Sequence, residues 1–310
     1  MKVALVGLGQ IALTKHIPAI NNSPDWELAA TVSRTSRAEG VVNYATIEQL
    51  LAAQPDITTI SLCMPPIPRF AIAKAVIDNG RHVMLEKPPG VTISECNILS
   101  RLAAAANVTL YATWHSREAA MIDLAKNWLA DKAIESFEIV WKEDIQHWHH
   151  GQDWSMQPGG LGVFDPGINA LSILTKILPE PVRLSSAVLE TPTNWYTPIA
   201  VTLQMISDTG AAGSANFDWR QKDGDIWEIR IDTDAGLLHL MEGGAKVTIN
   251  GLLQSAPEDS TTVADEYSRL YQRMHELIMT NSSECDLTPL ELVADAFMLG
   301  RHEPVAEFKL

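Results

Sequence analysis

Cysteine is scarce in this chain: there are 3 among 310 residues, and they lie far apart at Cys63, Cys96 and Cys285. An odd number of widely spaced cysteines fits neither a disulfide framework nor a zinc-ligand spacing, which indicates a reducing compartment. No apolar run reaches the roughly 18 residues that a membrane-spanning helix requires. The sequence begins with a strand-like run and has no basic segment before a long apolar one, so we expect no secretory signal and a cytoplasmic protein.

Positive charge is also in deficit, since 23 Lys and Arg face 38 Asp and Glu, a net charge of −15. A chain this acidic repels phosphate backbones, so we expect no nucleic acid partner, and the missing apolar runs predict no membrane partner. The deficit is confined to one part of the chain, because residues 1–115 carry a net charge of +1 and residues 116–310 carry −16. This division predicts two domains with different tasks.

Residues 1–117 alternate short apolar runs with helix-like stretches. The predicted strands are Val3–Val6, Leu28–Val32, Ile57–Leu62, His82–Leu85 and Thr109–Thr113. The predicted helices lie near residues 11–22, 46–53, 68–79 and 92–106. This alternation is typical of βαβ units and predicts an α/β domain, a doubly wound parallel Rossmann sheet that binds ligands at the carboxyl ends of its strands.

Residues 118–310 follow a different pattern, in which strand-like runs succeed one another with few helices between them. The predicted strands are Ser136–Trp141, Arg183–Glu190, Ile199–Ser207, Gly213–Phe217, Trp227–Thr233, Leu237–Met241 and Lys246–Ile249. They predict an α+β domain with a large, mainly antiparallel sheet. Helical stretches after Asp165 and near residues 262–281 are expected to cover one face of that sheet, and Thr288–Gly300 also has a helical pattern.

A glycine-rich turn connects the first predicted strand to the first predicted helix. The segment Gly7-Leu8-Gly9-Gln10-Ile11-Ala12 matches the G-x-G-x-x-G/A pattern of dinucleotide-binding sites. Gly7 permits a tight turn, Gly9 lets the backbone approach a pyrophosphate, and the helix that follows offers its first N–H groups to phosphates. Glycines also occur in ordinary strand–helix turns, but the βα units that follow favour the dinucleotide site.

The second predicted strand ends at Ser33 and Arg34 with no acidic residue beside them. NAD sites usually have Asp or Glu at this point, where the carboxylate binds the ribose 2′-hydroxyl. Ser33 can donate to a 2′-phosphate and Arg34 can pair with it, which favours NADP, with NAD as the alternative cofactor. The competing interpretation is a solvated loop with a surface arginine.

A lysine follows the fourth predicted strand in the segment Glu86-Lys87-Pro88-Pro89, at the sheet edge where a nicotinamide ring is expected. The charge of Lys87 would lower the pKa of a nearby substrate hydroxyl and stabilise a developing alkoxide. Surface lysines are common, so the position at a strand end is what makes Lys87 a candidate catalytic residue.

A Rossmann domain with this lysine motif, followed by the glycine-rich segment Gly159–Gly167, resembles the Gfo/Idh/MocA oxidoreductases over essentially the whole chain. Three segments are similar to one subgroup, the bacterial aldose 1-dehydrogenases that act on L-arabinose and D-galactose: Thr113–Arg117, Trp148–Trp154 and Gly162–Asn169. The resemblance implies a nicotinamide cofactor, a Lys-Pro peptide that is often cis, and a homodimer or homotetramer built through the sheet of the second domain.

Asp165 is the predicted general base. Many family members have His four residues later, whereas this chain has Asn169, as the aldose subgroup does. The two residues share a helix face at this spacing. We expect Asp165 to take the proton of the anomeric hydroxyl, with Lys87 stabilising the alkoxide and Asn169 holding the C1 oxygen or a ring hydroxyl. The competing interpretation is structural, because Asp followed by Pro is a good helix N-cap, and capping and catalysis can coexist.

The resemblance implies that His115, Glu143 and His149 contact the sugar. Trp148 is predicted to join them, because an indole face packs against the apolar face of a pyranose. The histidines near residues 147–150 would also suit a metal, but no carboxylate follows at a ligand spacing and the reaction needs no Lewis acid, so we expect no metal. The weaker candidates for sugar contact are His147, Trp154 and Trp227.

The residues expected to contact the cofactor are Gly7, Gly9, Gln10, Ile11, Ser33, Arg34, Pro65, Glu86 and Lys87. Together these features predict an NADP-preferring aldose 1-dehydrogenase that converts a sugar to its aldonolactone, with an active site where the two domains meet. The alternatives are a dehydrogenase or reductase acting on another polyol, such as an inositol, and a sugar- and nucleotide-sensing regulator on the same fold. The presence of both Lys87 and Asp165 disfavours the regulator, although the fold alone would not decide.

Overall fold

The computed structural model describes residues 1–148, 151–255 and 263–310. The chain forms two compact units, one made of Met1–Glu118 with Val263–Leu287, the other of Ala119–Thr262 with Thr288–Leu310. The first segment of the first unit ends at Glu118, one residue after the predicted boundary at residue 117. The sequence pattern does not predict that Val263–Leu287 returns to the first unit.

The first unit contains a six-stranded sheet in which every pairing is parallel. Its strands are β1 (Lys2–Val6), β2 (Glu27–Val32), β3 (Val42–Tyr44), β4 (Thr59–Leu62), β5 (His82–Leu85) and β6 (Leu110–Ala112). Their order in the sheet, β3-β2-β1-β4-β5-β6, is the doubly wound Rossmann arrangement that the sequence predicts. The sequence pattern does not predict strand β3, because three residues are too few to show an alternation of apolar and polar side chains.

The register aligns the carboxyl ends of the strands. Val6 pairs with Val32 on one side and with Leu62 on the other, and Leu85 pairs with both Leu62 and Ala112. The turns that follow β1, β2, β4, β5 and β6 therefore leave the sheet at one edge. The predicted site residues on these turns include Gly7, Gly9, Ser33, Arg34, Pro65, Glu86, Lys87 and His115.

The helices in the described residues are, in chain order, α1 (Ile17–Asn21), α2 (Ile47–Ala53), α3 (Arg69–Asp78), α4 (Ile93–Ala106), α5 (Ile122–Leu129), α6 (Ile145–Trp148), α7 (Phe164–Ile177), α8 (Val263–Met279) and α9 (Thr288–Leu299). A π-helical turn, Ala12–His16, leads into α1. Thr46 and Thr92 cap α2 and α4 by accepting the N–H groups of Gln49 and Glu95. Nowhere in the described ranges is there a helix with the length and apolar character to cross a membrane.

Helix α8 packs on the parallel sheet of the first unit, so the prediction that it covers the antiparallel sheet is wrong. Apolar residues of α2, α3 and α4 bury one face of the parallel sheet. Side chains of α8 form the core on the other face with Val3 and Leu5. The indole Nε1 of Trp26 also donates to the main-chain oxygen of Tyr271 at 2.9 Å. The amphipathic pattern of a helix shows that one face is buried, but it does not show which sheet buries it.

The second unit contains a nine-stranded sheet in the described residues. Its strands are β7 (Ile134–Lys142), β8 (Val182–Pro192), β9 (Ala200–Ser207), β10 (Ala212–Asp218), β11 (Ile226–Thr233), β12 (Gly236–Met241), β13 (Lys246–Ile249), β14 (Leu252–Leu253) and β15 (Arg301–Val305). Their order is β14-β13-β12-β11-β7-β10-β9-β8-β15. Only the β7–β10 and β8–β15 pairs are parallel, which confirms a mainly antiparallel sheet.

Helix α7 lies close against this sheet. Phe164 packs on Phe217 of β10 and on Phe297 of α9, with ring centroids 5.8 and 5.6 Å apart. A Cβ at Gly167 would lie 2.7 Å from the Phe217 ring, so glycine is what permits the approach. The close packing holds the first turn of α7, which carries Asp165, at a defined place on the sheet.

Candidate active site

Gly7 and Gly9 form the turn that follows β1. Gly7 has a φ of +90°, and a Cβ there would lie 2.7 Å from the main-chain nitrogen of Met64, so a larger residue would force the backbone to shift. The Gly7 N–H donates to the carbonyl of Val32 at 3.0 Å. A Cβ at Gly9 would meet no atom within 4 Å, so open space borders its backbone and fits a pyrophosphate group. The exposed residues beside this space are Gln10 and Ile11.

Ser33 begins a tight loop after β2. Its hydroxyl oxygen accepts the N–H of Ser36 at 3.1 Å, and its carbonyl accepts an N–H of the Asn43 side chain at 3.0 Å. The hydroxyl proton can still be donated, since a hydroxyl has one donor and two acceptor positions. Arg34 is exposed, and residues 33–37 contain no carboxylate. The loop therefore offers a donor and a cation to an anion such as a 2′-phosphate.

Lys87 follows β5, and the Lys87–Pro88 peptide is cis, as the resemblance implies. The buried guanidinium of Arg69, in the first turn of α3, donates to the carbonyls of Glu86 and Pro88 on either side of Lys87. It also donates to the carbonyl of Met64 in the loop after β4. Arg69 therefore ties together two of the loops at the sheet edge. The sequence pattern gives no sign of this role, because all three acceptors are main-chain atoms.

Arg69→Ala is expected to lower the free energy of unfolding by about 3 kcal/mol or more, because three carbonyls lose a buried, charged donor and each unsatisfied group costs about 1–3 kcal/mol. The matched control is Arg81→Ala, since the Arg81 guanidinium donates to one carbonyl, that of Pro55. The control should lose about 1 kcal/mol or less. Urea unfolding followed by circular dichroism measures both, and equal losses would contradict the role given to Arg69.

A buried ion pair lies behind Lys87. His16 Nε2 is 3.0 Å from Glu86 Oε1, and His16 Nδ1 is 2.9 Å from the Tyr271 hydroxyl. Burial acts against the charge on Glu86, but the hydrogen bond and charge of His16 outweigh it and lower the pKa of Glu86 to about 2. Burial also acts against protonation of His16, yet the neighbouring Cys63, Tyr271 and Glu86 raise the pKa of His16 above its ordinary value. Each shift therefore favours the ionised form of its residue.

His115 begins a 3₁₀ turn after β6. Its Nδ1 lies 2.8 Å from Oε2 of Glu266 on α8, and its ring stacks on Tyr267 with centroids 5.6 Å apart. An ionised carboxylate only accepts, so Nδ1 is the donor and Nε2 is the nitrogen left for a ligand. Glu266 is absent from the predicted site, since 151 residues separate it from His115.

Asp165 and Asn169 lie on α7, four residues apart, and share one face of the helix. The interpretation of Asp165 as an N-cap is wrong, because Val163 is the N-cap residue and no side chain caps the helix. Asp165 is instead the second helical residue, only 5% exposed, and its N–H donates to the Gly162 carbonyl at 2.8 Å. A carboxylate in the first turn still interacts favourably with the positive end of the helix dipole.

The turn before α7 depends on Gly162. Its φ is +57°, and a Cβ there would lie 2.3 Å from the carbonyl oxygen of Pro198. The N–H of Gly162 donates to the carbonyl of Ser155, and the N–H of Val163 donates to that of Pro198, both at 2.8 Å. These bonds fix the start of α7 and therefore the place of Asp165.

Glu143 follows β7 and is buried between two indoles. Trp219 Nε1 donates to Oε1 at 3.1 Å, and Trp227 Nε1 donates to Oε2 at 3.2 Å. The ends of β7 and β10 are parallel neighbours, which brings Glu143 next to Trp219, and Trp227 stacks on Trp141 of β7. Each carboxylate oxygen has two acceptor positions, so an indole bond is compatible with a second bond from a ligand hydroxyl. Trp219 is missing from the predicted site residues.

The other predicted sugar contacts lie on or after α6. The main chain of Trp148 ends α6, and His149 lies outside the described residues. His147 is exposed on α6, and Trp154 is half-buried in a 3₁₀ turn. The structure thus gathers the predicted cofactor residues at one sheet edge of the first unit and places the predicted chemical groups of the second unit after β7 and on α7.

A doubly wound parallel sheet, a glycine turn beside open space and a lysine at a strand end on the same edge of that sheet are typical of a nicotinamide-dependent oxidoreductase with a Rossmann fold. The Gfo/Idh/MocA family model, an oxidoreductase family with an NAD-binding Rossmann fold, matches residues 1–113. Galactose 1-dehydrogenase of Pseudomonas fluorescens is 38% identical over 309 residues, which span 99% of this chain and 98% of that protein. The chain belongs to the Gfo/Idh/MocA family.

Solved structures show the same similarity. The crystal structure of a D-galactose-1-dehydrogenase from Rhizobium etli matches with a TM-score of 0.94 and 47% identity, covering 99% of this chain and 97% of that one. A 3-ketoreductase from Actinomadura kijaniata, crystallised with NADP and TDP-benzene, matches with a TM-score of 0.84 over 100% of this chain and 99% of its own. Its identity is 15%, so this second likeness shows the fold alone.

Proposed function

We propose that the protein is an NADP-preferring aldose 1-dehydrogenase, which oxidises C1 of a pyranose such as D-galactose or L-arabinose to the aldonolactone. The observation that carries this proposal is the similarity along almost the whole chain to two proteins named as galactose 1-dehydrogenases, at 38% and 47% identity. The similarity spans the second unit as well as the cofactor-binding fold. The substrate of this chain is therefore inferred from its relatives and from the side chains that follow.

Oxidation at C1 requires the anomeric carbon to lose a hydride and its hydroxyl to lose a proton. When bound, the oxidised nicotinamide supplies the hydride acceptor. The carboxylate of Asp165 takes the hydroxyl proton. The ammonium of Lys87 stabilises the negative charge that develops on the C1 oxygen. Asn169, on the same face of α7 as Asp165, donates an amide N–H to that oxygen and orients it.

Two carboxylates support the proposed sugar contacts. Glu143 accepts ring hydroxyls, and the indoles of Trp219 and Trp227 keep its carboxylate in one orientation. Glu266 holds Nδ1 of His115, so Nε2 of that ring meets a sugar hydroxyl. The remaining proposed contacts are Trp148 and His149.

Trp219→Phe is expected to raise KM for the aldose about tenfold with a smaller change in kcat, because the Glu143 carboxylate loses the indole N–H donor at Oε1 and a bond to a charged group contributes about 1.5–3 kcal/mol. Trp195→Phe is the matched control, since its Nε1 donates to the main-chain oxygen of Phe308 in the same unit. Steady-state kinetics measures both variants. A KM shift shared by the control would contradict a specific role for Trp219.

The proposed cofactor site extends along the sheet edge of the first unit. Gly9 and the first helical turn hold the pyrophosphate, because open space borders the Gly9 backbone, and Gly7 forms the tight turn before them. Ser33 and Arg34 hold the 2′-phosphate through a hydroxyl and a guanidinium. Pro65 and Lys87 are proposed to lie at the nicotinamide end, and Glu86 directly precedes Lys87.

Arg34→Ala is expected to raise KM for NADP about tenfold or more and to change KM for NAD less than about twofold, since only NADP carries the phosphate that the guanidinium pairs with. Measuring both cofactors with one enzyme preparation makes NAD the internal control. A wild-type protein with higher kcat/KM for NAD than for NADP would contradict the proposed preference, and so would an equal loss with both cofactors in Arg34→Ala.

The test of the proposed function is a panel of aldoses with NADP and with NAD, followed by the absorbance of the reduced nicotinamide. We expect turnover with D-galactose or L-arabinose and none with methyl β-D-galactopyranoside, in which C1 carries no free hydroxyl. Turnover of myo-inositol without any aldose would favour the polyol alternative. Sugar binding without any turnover would favour the regulator. Either result would reject aldose 1-dehydrogenase activity.

A further inference from the structure

His16 connects three parts of the first unit. It lies on the π-helical turn that follows the glycine turn, and it is fully buried. One ring nitrogen contacts Glu86 at the end of β5, and the other contacts Tyr271 on α8. Tyr267 packs edge-on against the same ring, with centroids 4.9 Å apart. π-helical turns are rare in proteins, and many of those that occur lie at functional sites. The position of His16 on such a turn therefore points to a functional role.

The carboxylate of Glu86 links His16 to the main chain of Lys87. Its Oε1 bonds His16 at 3.0 Å, and its Oε2 accepts the main-chain N–H of Lys87 at 2.9 Å. The main-chain carbonyl of Glu86 accepts from the Arg69 guanidinium. The residue before Lys87 is therefore held at its side chain and at its main chain, and the backbone at Lys87 has little freedom to move.

Stability alone explains this ion pair poorly. Removing two charges from water is costly, and well-packed apolar side chains of similar size often stabilise a fold as well or better. The pair lies between the helix that follows the glycine turn and the strand end that bears Lys87. A fixed distance between these two elements matters for chemistry, because a misplacement of about 1 Å costs about a hundredfold in rate.

We propose that His16 and Glu86 are positioning residues, which place the Lys87 ammonium relative to the glycine turn that binds the cofactor phosphates. This inference rests on the proposed catalytic role of Lys87. Both residues act through the main chain at Lys87 and have no contact with the substrate. A merely structural pair would lose stability on substitution and keep its kcat. A positioning pair loses kcat at nearly unchanged affinity for the cofactor.

The test uses His16→Leu, His16→Gln and Glu86→Gln in the full-length protein. We expect His16→Leu and Glu86→Gln to lower kcat about tenfold or more, while the Kd for NADPH, measured by fluorescence, changes less than about threefold. A glutamine amide can replace the Nε2 donor of histidine, so His16→Gln should return kcat to within about threefold of the wild-type value. If His16→Leu does not fold, Glu86→Gln carries the same expectation, because it conserves the size of the side chain.

The matched control is His82→Gln. His82 begins β5, the strand that Glu86 follows, and its Nδ1 accepts the N–H of Thr109 at 2.9 Å. This variant changes the same residue type at the opposite end of the same strand. Its kcat should stay within about twofold of the wild-type value.

A second readout needs no substrate. Competitive acetylation with quantification by mass spectrometry compares the reactivity of Lys87 with that of Lys74, an exposed lysine paired with Asp78. We expect the ratio of Lys87 to Lys74 labelling to change about threefold or more in His16→Leu and Glu86→Gln, because the environment of the Lys87 ammonium changes and that of Lys74 does not. An unchanged ratio, or a kcat within about twofold of the wild-type value in both variants, overturns the inference. If the wild-type protein oxidises no aldose, the proposed function fails, and the labelling ratio still decides this inference.

Discussion

Asp165→Asn is expected to lower kcat for aldose oxidation about a thousandfold, while the Kd for NADPH and the melting temperature stay close to the wild-type values. The amide keeps the size of the side chain and its place in the first turn of α7, but it does not take up a proton near neutral pH. The anomeric hydroxyl then has no base at the moment when the hydride leaves. The measurement is steady-state turnover of the best aldose at saturating NADP.

The control for this prediction is Asp123→Asn. Asp123 lies in the first turn of α5 in the same unit and pairs with Lys176 at 3.0 Å. The substitution removes one carboxylate from a helix start without touching the proposed chemistry, so kcat should stay within about twofold of the wild-type value. Near-normal turnover in Asp165→Asn would show that another group takes the proton, and it would contradict the role given to Asp165.

Lys87→Ala is expected to lower kcat about a hundredfold or more, because the ammonium stabilises charge that is present on the C1 oxygen only during the reaction. Cofactor affinity should change little, since the glycine turn and the Ser33 loop hold the phosphates. The matched control is Lys74→Ala, which removes an exposed lysine from α3 in the same unit and breaks a surface pair of small energetic value. A loss that appears in KM for NADP and spares kcat would contradict the role given to Lys87.

Much of the fold can be predicted from the sequence because its signals are local. The strand His82–Leu85 has the predicted limits, and the glycine turn after β1 lies where the G-x-G-x-x-A spacing places it. The assignment of α8 fails for the opposite reason. Its apolar stripe marks a buried face, but the partners of that face, such as Val3 and Leu5, lie more than half the chain away.

The residues of the candidate site also differ in whether a local sequence signal predicts them. Lys87 and Asp165 can be proposed from the sequence because each lies in a short motif with a strand or helix beside it. His16, Arg69 and Trp219 escape prediction because their partners are distant in the chain or are main-chain carbonyls, and neither kind of partner leaves a spacing to read. The local Asp-Pro signal also misleads about capping, since α7 begins at Phe164, one residue before Asp165, and Val163 is its N-cap.

The central claim is that the hydride comes from C1 of an aldose, and isotope transfer tests it most directly. The wild-type protein is incubated with D-galactose carrying deuterium at C1 and with oxidised NADP, and the reduced cofactor is analysed by mass spectrometry. We predict one deuterium in each reduced nicotinamide and galactonolactone or its hydrolysis product, galactonate, as the sugar product. Reduced cofactor without deuterium would show that another carbon is oxidised, and that result would contradict the proposed reaction.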